Sequence, residues 1–204
     1  MPVQQSDPRV LLVEGVNDKH VVLHLAKIHL PDLEFTVIEK GGFESLIRSF
    51  YPEAMVHGRI AVGIMADAND NPCSRWRSIS GVLARINLAP LGDMTAQGTI
   101  IEGEPRVGIW LMPDNRSKGE LEDFVATLIP DDDPVWPLAC CYIDSIDTKD
   151  RKFSQNKHLR ASIHAWLAAR QNPKLIGSAI ASRDLNANAP SALRLVQWLH
   201  TLFR

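Results

Sequence analysis

Acidic side chains stand at or just beyond the ends of short apolar runs. Glu14 follows Val10-Leu-Leu-Val13, Glu39 follows a β-branched stretch, Asp67 and Asp70 follow residues 60–66, and Asp114 follows residues 107–112. Such runs read as strands buried on both faces. In a parallel sheet, ligands bind in the crevice outside the carboxyl ends of the strands. Carboxylates gathered there repel one another, which raises a pKa or calls for a cation. Oxygen ligands around an open site suit Mg²⁺ or Mn²⁺, held by one or two carboxylates together with substrate phosphates. The chemistry this predicts is metal-assisted cleavage of a phosphate ester or phosphodiester. Acids in such loops also cap helices, and Glu39 is left to that role. Glu14 and Asp67 resist it, because each ends an apolar run and precedes a small residue, Gly15 or Ala68.

These residues need a sheet to hold them. The first strand is predicted over 10–14, with Gly15 turning the chain and Asn17 or Asp18 capping a helix over 18–29. That helix carries Val22, Leu23, Ala26 and Leu30 as its apolar stripe, and Pro31 stops it. Further strands are expected over 35–39 and 60–66, with a helix over 43–50 between them. A helix over 73–86 carries Trp76, Ile79, Val82, Leu83 and Ile86. Two strands, 99–102 and 106–112, follow with a short turn between them, and then a helix over 121–129. Strands alternating with helices predict an α/β fold with a mostly parallel sheet flanked by helices and right-handed crossovers. This unit is expected over 9–130, with Asp131-Asp-Asp-Pro134 as a boundary.

Residues 131–204 read as a helical C-terminal extension packed on that unit. Helices are expected over 135–146, over 156–170 with Asn156 as cap and Leu159, Ile163, Trp166 and Leu167 on one face, and over 190–203 with Leu193, Val196, Trp198 and Leu199. Between 173 and 190 the chain reads as irregular, with a weak strand candidate over 177–181. Residues 1–8 read as a loosely tied lead-in without the apolar core of a signal peptide.

The chain has 204 residues, 45% apolar and 23% charged, with a formal net charge of -2. That is enough to bury a sizeable core. It argues against a global positive field that would draw the protein to nucleic acid, while leaving a local basic patch open. No apolar run approaches the roughly 20 residues of a membrane span, so no membrane partner is expected. Three cysteines, Cys73, Cys140 and Cys141, make no disulfide framework and point to a reducing cytoplasm.

The strand ends resemble those of Toprim domains, the fold shared by topoisomerases, bacterial primases and nucleases of the overcoming-lysogenization-defect and small-RNA-maturase groups. The pattern is a strand ending in Glu-Gly with an aspartate shortly after, here Val13-Glu14-Gly15-Val-Asn-Asp18, and a second strand ending in Asp-x-Asp, here Asp67-Ala68-Asn69. More closely, the chain is similar to an uncharacterised bacterial group of Toprim-like proteins. That likeness rests on Arg75-Trp76, on Pro113-Asp114-Asn115 with Leu121-Glu-Asp-Phe124, and on Trp198-Leu199. The resemblance implies Glu14 as general acid or base and Asp67 as the first metal ligand. Asn69 stands where the family has its second aspartate. Its amide offers a carbonyl oxygen without charge, which weakens metal binding, and Asp70 and Asp114 are further candidate ligands.

Lys19, Arg75, Arg77, Arg116 and Lys118 lie near the same strand ends and are candidates to hold phosphates. His20 and His24 lack a third ligand and read as surface residues. Arg151-Lys152, Lys157-His158 and Arg160 form a basic cluster that follows a nucleic-acid backbone or solvates a helix. Three functions compete: a Mg- or Mn-dependent nuclease-like enzyme, a catalytically weakened module that binds nucleic acid or a protein partner, and a receiver-like phosphoacceptor. The third ranks last, because Glu14 has no adjacent acid.

Overall fold

The computed structural model describes residues 7–86, 93–170 and 175–204. Nearly all of the expected lead-in, and the first residues of the irregular stretch expected from 173, lie outside these. In chain order the elements are β1 (Arg9–Val13), α1 (Val16–His29), β2 (Thr36–Glu39), α2 (Phe43–Ala54), β3 (Ala61–Asp67) and α3 (Pro72–Leu83). Then come β4 (Thr99–Ile101), β5 (Arg106–Met112), α4 (Leu121–Ala126), α5 (Trp136–Ser145), α6 (His158–Ala168), α7 (Ile176–Ala181) and α8 (Pro190–Phe203). The strands form one sheet in the order β2-β1-β3-β5-β4. The pairs from β2 to β5 are parallel, and β4 runs antiparallel to β5. This is the mostly parallel α/β architecture that the alternating pattern predicts, with a helical C-terminal segment.

The side-chain period of two sorts each strand between two cores. Val10 and Leu12 of β1 join Val62 and Ile64 of β3 in packing on Leu46, Phe50 and Ile79 of α2 and α3. Leu11 and Val13 face the other way, into a cluster that reaches Val21 and Leu25 of α1, Trp166 of α6 and Leu199 of α8. The helices after Pro130 therefore complete the second face of the sheet. Each fully buried leucine there contributes roughly 1.5–3 kcal/mol by leaving water.

The final helix sits unusually close to the sheet. Gly63 of β3 and Gly108 of β5 are register partners. A Cβ on either would fall 2.8 or 2.6 Å from Leu202 Cδ2, so α8 rests Trp198 and Leu202 almost on the backbone. Asp133 joins the next pair of helices. Its Oδ1 accepts from the Val135 and Trp136 amides at 2.9 and 2.8 Å and from Trp166 Nε1 at 3.0 Å, while Oδ2 takes Arg170 Nη2 at 2.7 Å.

Several expectations change. The strand candidate over 177–181 is helix α7. A short apolar run does not distinguish the two periods, and tertiary contact decides: α1 and α7 approach so closely that a Cβ on Gly177 would lie 2.3 Å from His20 Cβ. The stripe of α1 is Val21, Val22, Leu25 and Ala26, and Leu23 is 39% exposed. On α8, Leu193 is exposed and Ala192, Leu195 and Phe203 are buried instead. Asn156 does not cap α6. It lies in a 3-10 turn, Gln155–Lys157, where its Oδ1 accepts from Ser154 Oγ. Likewise α3 stops at Leu83 and tightens into a 3-10 turn over Ala84–Ile86. Among the described residues, no helix is long and apolar enough to cross a membrane.

Candidate functional site

The chain leaves β1 for β2 on one side and returns to place β3 on the other, so strand order reverses between β1 and β3. A crevice opens at such a switch point, outside the carboxyl ends. Glu14 follows β1 and Asp67 ends β3, and both line one open cavity of about 710 Å³. They are coupled directly: Glu14 Oε1 accepts from the Asp67 amide at 2.9 Å. Asp67 Oδ1 in turn accepts from the Leu121 amide at 2.9 Å, tying the strand end to the start of α4.

Asp18 completes the group. Gly15, not Asn17 or Asp18, is the N-cap of α1, and Asp18 lies at the third helical position. Its Oδ2 accepts from the Gly15 amide at 3.1 Å. Its Oδ1 is buried without a hydrogen-bond partner. The carboxylate is 5% exposed and faces the same cavity.

Burial and mutual repulsion set the electrostatics. Asp67 is pushed up to about 8, first by burial and then by Asp18, Glu14, Glu120 and Glu122. Asp18 is pushed up to about 7, first by burial and then by Glu14, against the Gly15 amide. Burial also raises Glu14, partly offset by the Asp67 amide and by Arg75. Such a group either keeps a proton or takes a cation.

Positive charge lies around these three acids rather than between them. Lys157 Nζ donates to Glu120 Oε1 at 2.6 Å, and Arg160 Nε lies 3.3 Å from Glu122 Oε1. Arg75 stacks on the Phe43 ring, 3.8 Å from its centroid. With the Asn69 amide oriented by its neighbours, Nδ2 donates to Glu120 Oε1 at 3.0 Å and Oδ1 accepts from Arg75 Nη2 at 2.6 Å. Asn69 thus links the arginine to the rim. It sits at φ 51°, which asparagine tolerates, and exchanges both backbone bonds with Gly119.

The structure brings Glu14, Asp67, Asn69 and Arg75 to one cavity. Asp70 and Lys118 line a smaller adjoining one of about 290 Å³, which they share with Asn69 and Glu120. Asp114 does not join them. Its carboxylate accepts from the Arg116 and Ser117 amides at 3.0 and 2.7 Å and from Ser117 Oγ at 2.9 Å. Burial pushes its pKa up, but these bonds and Arg194 bring it below the usual carboxylate value. Arg116 follows that turn, away from the cavity lining, and Lys19 Nζ lies 3.5 Å from Glu39. Glu120, Glu122, Lys157 and Arg160 belong to the site without having been named for it in the sequence. The signals were the acids flanking Leu121 and the basic cluster at 151–160.

Among the described residues, no three His, Cys, Asp or Glu side chains form a ready metal-holding group. The donor set nonetheless fits Mg²⁺ or Mn²⁺ in kind. It consists of oxygen atoms in an open cavity, with one buried carboxyl oxygen lacking a partner. A site of that type uses one or two carboxylates and fills its remaining positions with water and phosphate.

A family model described as a protein of unknown function, DUF3226, matches residues 8–204. No curated protein matches the chain. Among solved structures, the chain is similar to the C-terminal region of the Xanthomonas campestris pv. campestris OLD protein. The likeness has 15% identity, covers 96% of this chain and 93% of that one, and has a TM-score of 0.48.

Proposed function

The chain belongs to the DUF3226 family, and we propose that it is a divalent-metal-dependent, nuclease-like enzyme that cleaves phosphodiester bonds in nucleic acid in a reducing cytoplasm. The observation that carries this reading is the trio Glu14, Asp18 and Asp67 at the switch point, with Asp18 Oδ1 buried and unpartnered. The Toprim-like order of Glu14-Gly15 and Asp67 along the chain supports it. Asp67 and Asp18 would hold the ion, and the Asn69 carbonyl is already engaged by Arg75. A bound Mg²⁺ or Mn²⁺ would supply Lewis acidity toward a phosphate oxygen. Glu14, raised by burial, is suited to holding and releasing a proton beside the scissile bond. Arg75, fixed between the Phe43 ring and Asn69, presents a guanidinium to a phosphate.

A second reading has its own observation. Glu120 and Glu122 already hold Lys157 and Arg160, and Asn69 adds no charge. That arrangement suits a weakened module that binds nucleic acid or a protein partner. Labelled single- and double-stranded DNA and RNA, incubated with Mn²⁺ or EDTA, separate the two. Metal-dependent cleavage that falls about 10²–10⁴-fold in Glu14→Gln supports the enzyme. Binding of the same nucleic acids without cleavage under any metal supports the module.

A further inference from the structure

Helices α2 and α3 start at the candidate cavity, where Phe43 and Arg75 line it. Farther along, the same two helices leave a groove of about 810 Å³ between them. Arg48 and Tyr51 stand on its α2 wall. Arg77, Gly81 and Arg85 stand on the other, over an apolar base that includes Val82. Arg77 and Gly81 are four residues apart on α3 and share one helix face, and Arg85 follows in the 3-10 turn that extends the helix. No described residue lining the groove is acidic, and among the described residues none of its three arginines makes an ion pair. Arg48 is steadied through Nε, which donates to the Glu44 carbonyl at 3.2 Å. Tyr51 is 45% exposed. A Cβ at Gly81 would meet nothing within 4 Å, so the groove is open at its middle.

We propose that this groove is the track for a single-stranded nucleic-acid backbone, DNA or RNA, leading to the Glu14–Asp67 cavity. Guanidinium groups bind phosphates in a planar, two-pronged way. Arg48 on one wall and Arg77 and Arg85 on the other put three such groups along one groove, enough to follow a backbone, and an exposed tyrosine offers a stacking face that only an unpaired base can use. The direction of the strand rests on the proposed function. Binding in the groove does not require cleavage.

The test is fluorescence anisotropy in EDTA with labelled 12-mers of deoxythymidine and uridine, a blunt 12-base-pair duplex and a poly-glutamate peptide. The double variant Arg48→Glu/Arg85→Glu should bind both single strands about tenfold or more weaker. Its salt slope should shrink by about 1.4, at roughly 0.7 per lost phosphate contact. Gly81→Glu should weaken binding and Gly81→Lys should tighten it, a change of sign that a purely structural role does not produce. Neither helical substitution should lower the melting temperature. Because the titration is run in EDTA, binding is read without any metal-dependent cleavage, which separates the groove from the chemistry. Unchanged affinity in the arginine and Gly81→Glu variants overturns the groove even if cleavage is found. So does no binding of either strand by the wild type, or a preference for the duplex or the acidic peptide. Loss of binding in these variants without any cleavage by the wild type upholds the groove and removes the nuclease.

Discussion

Replacing Asp67 by asparagine should make the metal-free protein more stable. In the folded chain its pKa is about 8, against an ordinary 3.8. Each pKa unit corresponds to about 1.4 kcal/mol, so at pH 8 the raised value opposes folding by roughly 5 kcal/mol. Asparagine keeps an Oδ1 for the Leu121 amide and removes the charge that Asp18 and Glu14 repel. Part of the gain is lost to the new Nδ2 donor, which has no acceptor reserved for it. A net stabilisation of roughly 2 kcal/mol, or about 4–8 °C for a chain of this length, is expected in EDTA. The pH dependence follows from the same sign. A folded pKa raised above the unfolded one stabilises fully below 3.8 and loses that contribution as pH rises through about 7 for Asp18 and about 8 for Asp67. The wild type in EDTA should therefore melt progressively lower from pH 5 to pH 8, and Asp67→Asn should flatten the curve. Metal should act in the opposite sense. At ten times its Kd, Mg²⁺ or Mn²⁺ adds about 1.4 kcal/mol to the wild type and nothing to the variant. Scanning calorimetry at pH 8 across a metal titration reads all of this. A variant that melts below the wild type in EDTA, or that gains as much from metal, would refute the electrostatic account of the cavity.

Asp133→Ala strands the Val135 and Trp136 amides, the Trp166 indole and Arg170, and should cost about 3 kcal/mol in a urea titration. Burial pushes the Asp133 carboxyl up, but Arg170, Trp166 and the two amides hold it below its usual value. The wild type should thus lose this contribution only as pH falls through that lowered pKa, and the variant should lack that acid limb. Gly177→Ala drives a methyl into His20 and should destabilise by about 2 kcal/mol, seen as a lower urea midpoint with an unchanged slope.

The central strands were legible because they are buried on both faces. Residues 10–13, 60–66 and 107–112 read as apolar runs of strand length, each ending at an acid or a turn. Glu14 and Asp67 came with them, since a strand end fixes where the next side chain stands. The partners of these two were less visible. Glu120 reaches the rim because Asn69 and Gly119 pair across loops fifty residues apart, and no local pattern encodes that pairing. Asp114 misled for the converse reason. Its position after β5 is right for the rim, but the turn folds back on it, with Asn115 buried and its Oδ1 taking the Leu111 amide. Helix α7 was misread because its conformation is decided by the surface of α1 rather than by its own six residues.

The glycine pair on β3 and β5 makes the end of the chain answerable for its middle. Leu202 occupies the notch that Gly63 and Gly108 leave, and Gly63 lies four residues before Asp67 on the same strand. A bulkier residue at Gly63 makes Leu11 and Leu202 shift, and one at Gly108 makes both methyls of Leu202 shift. Positions 63, 108 and 202 therefore pack as one unit although the chain sets them far apart. The final turn of α8 thus rests on the strand that ends in Asp67.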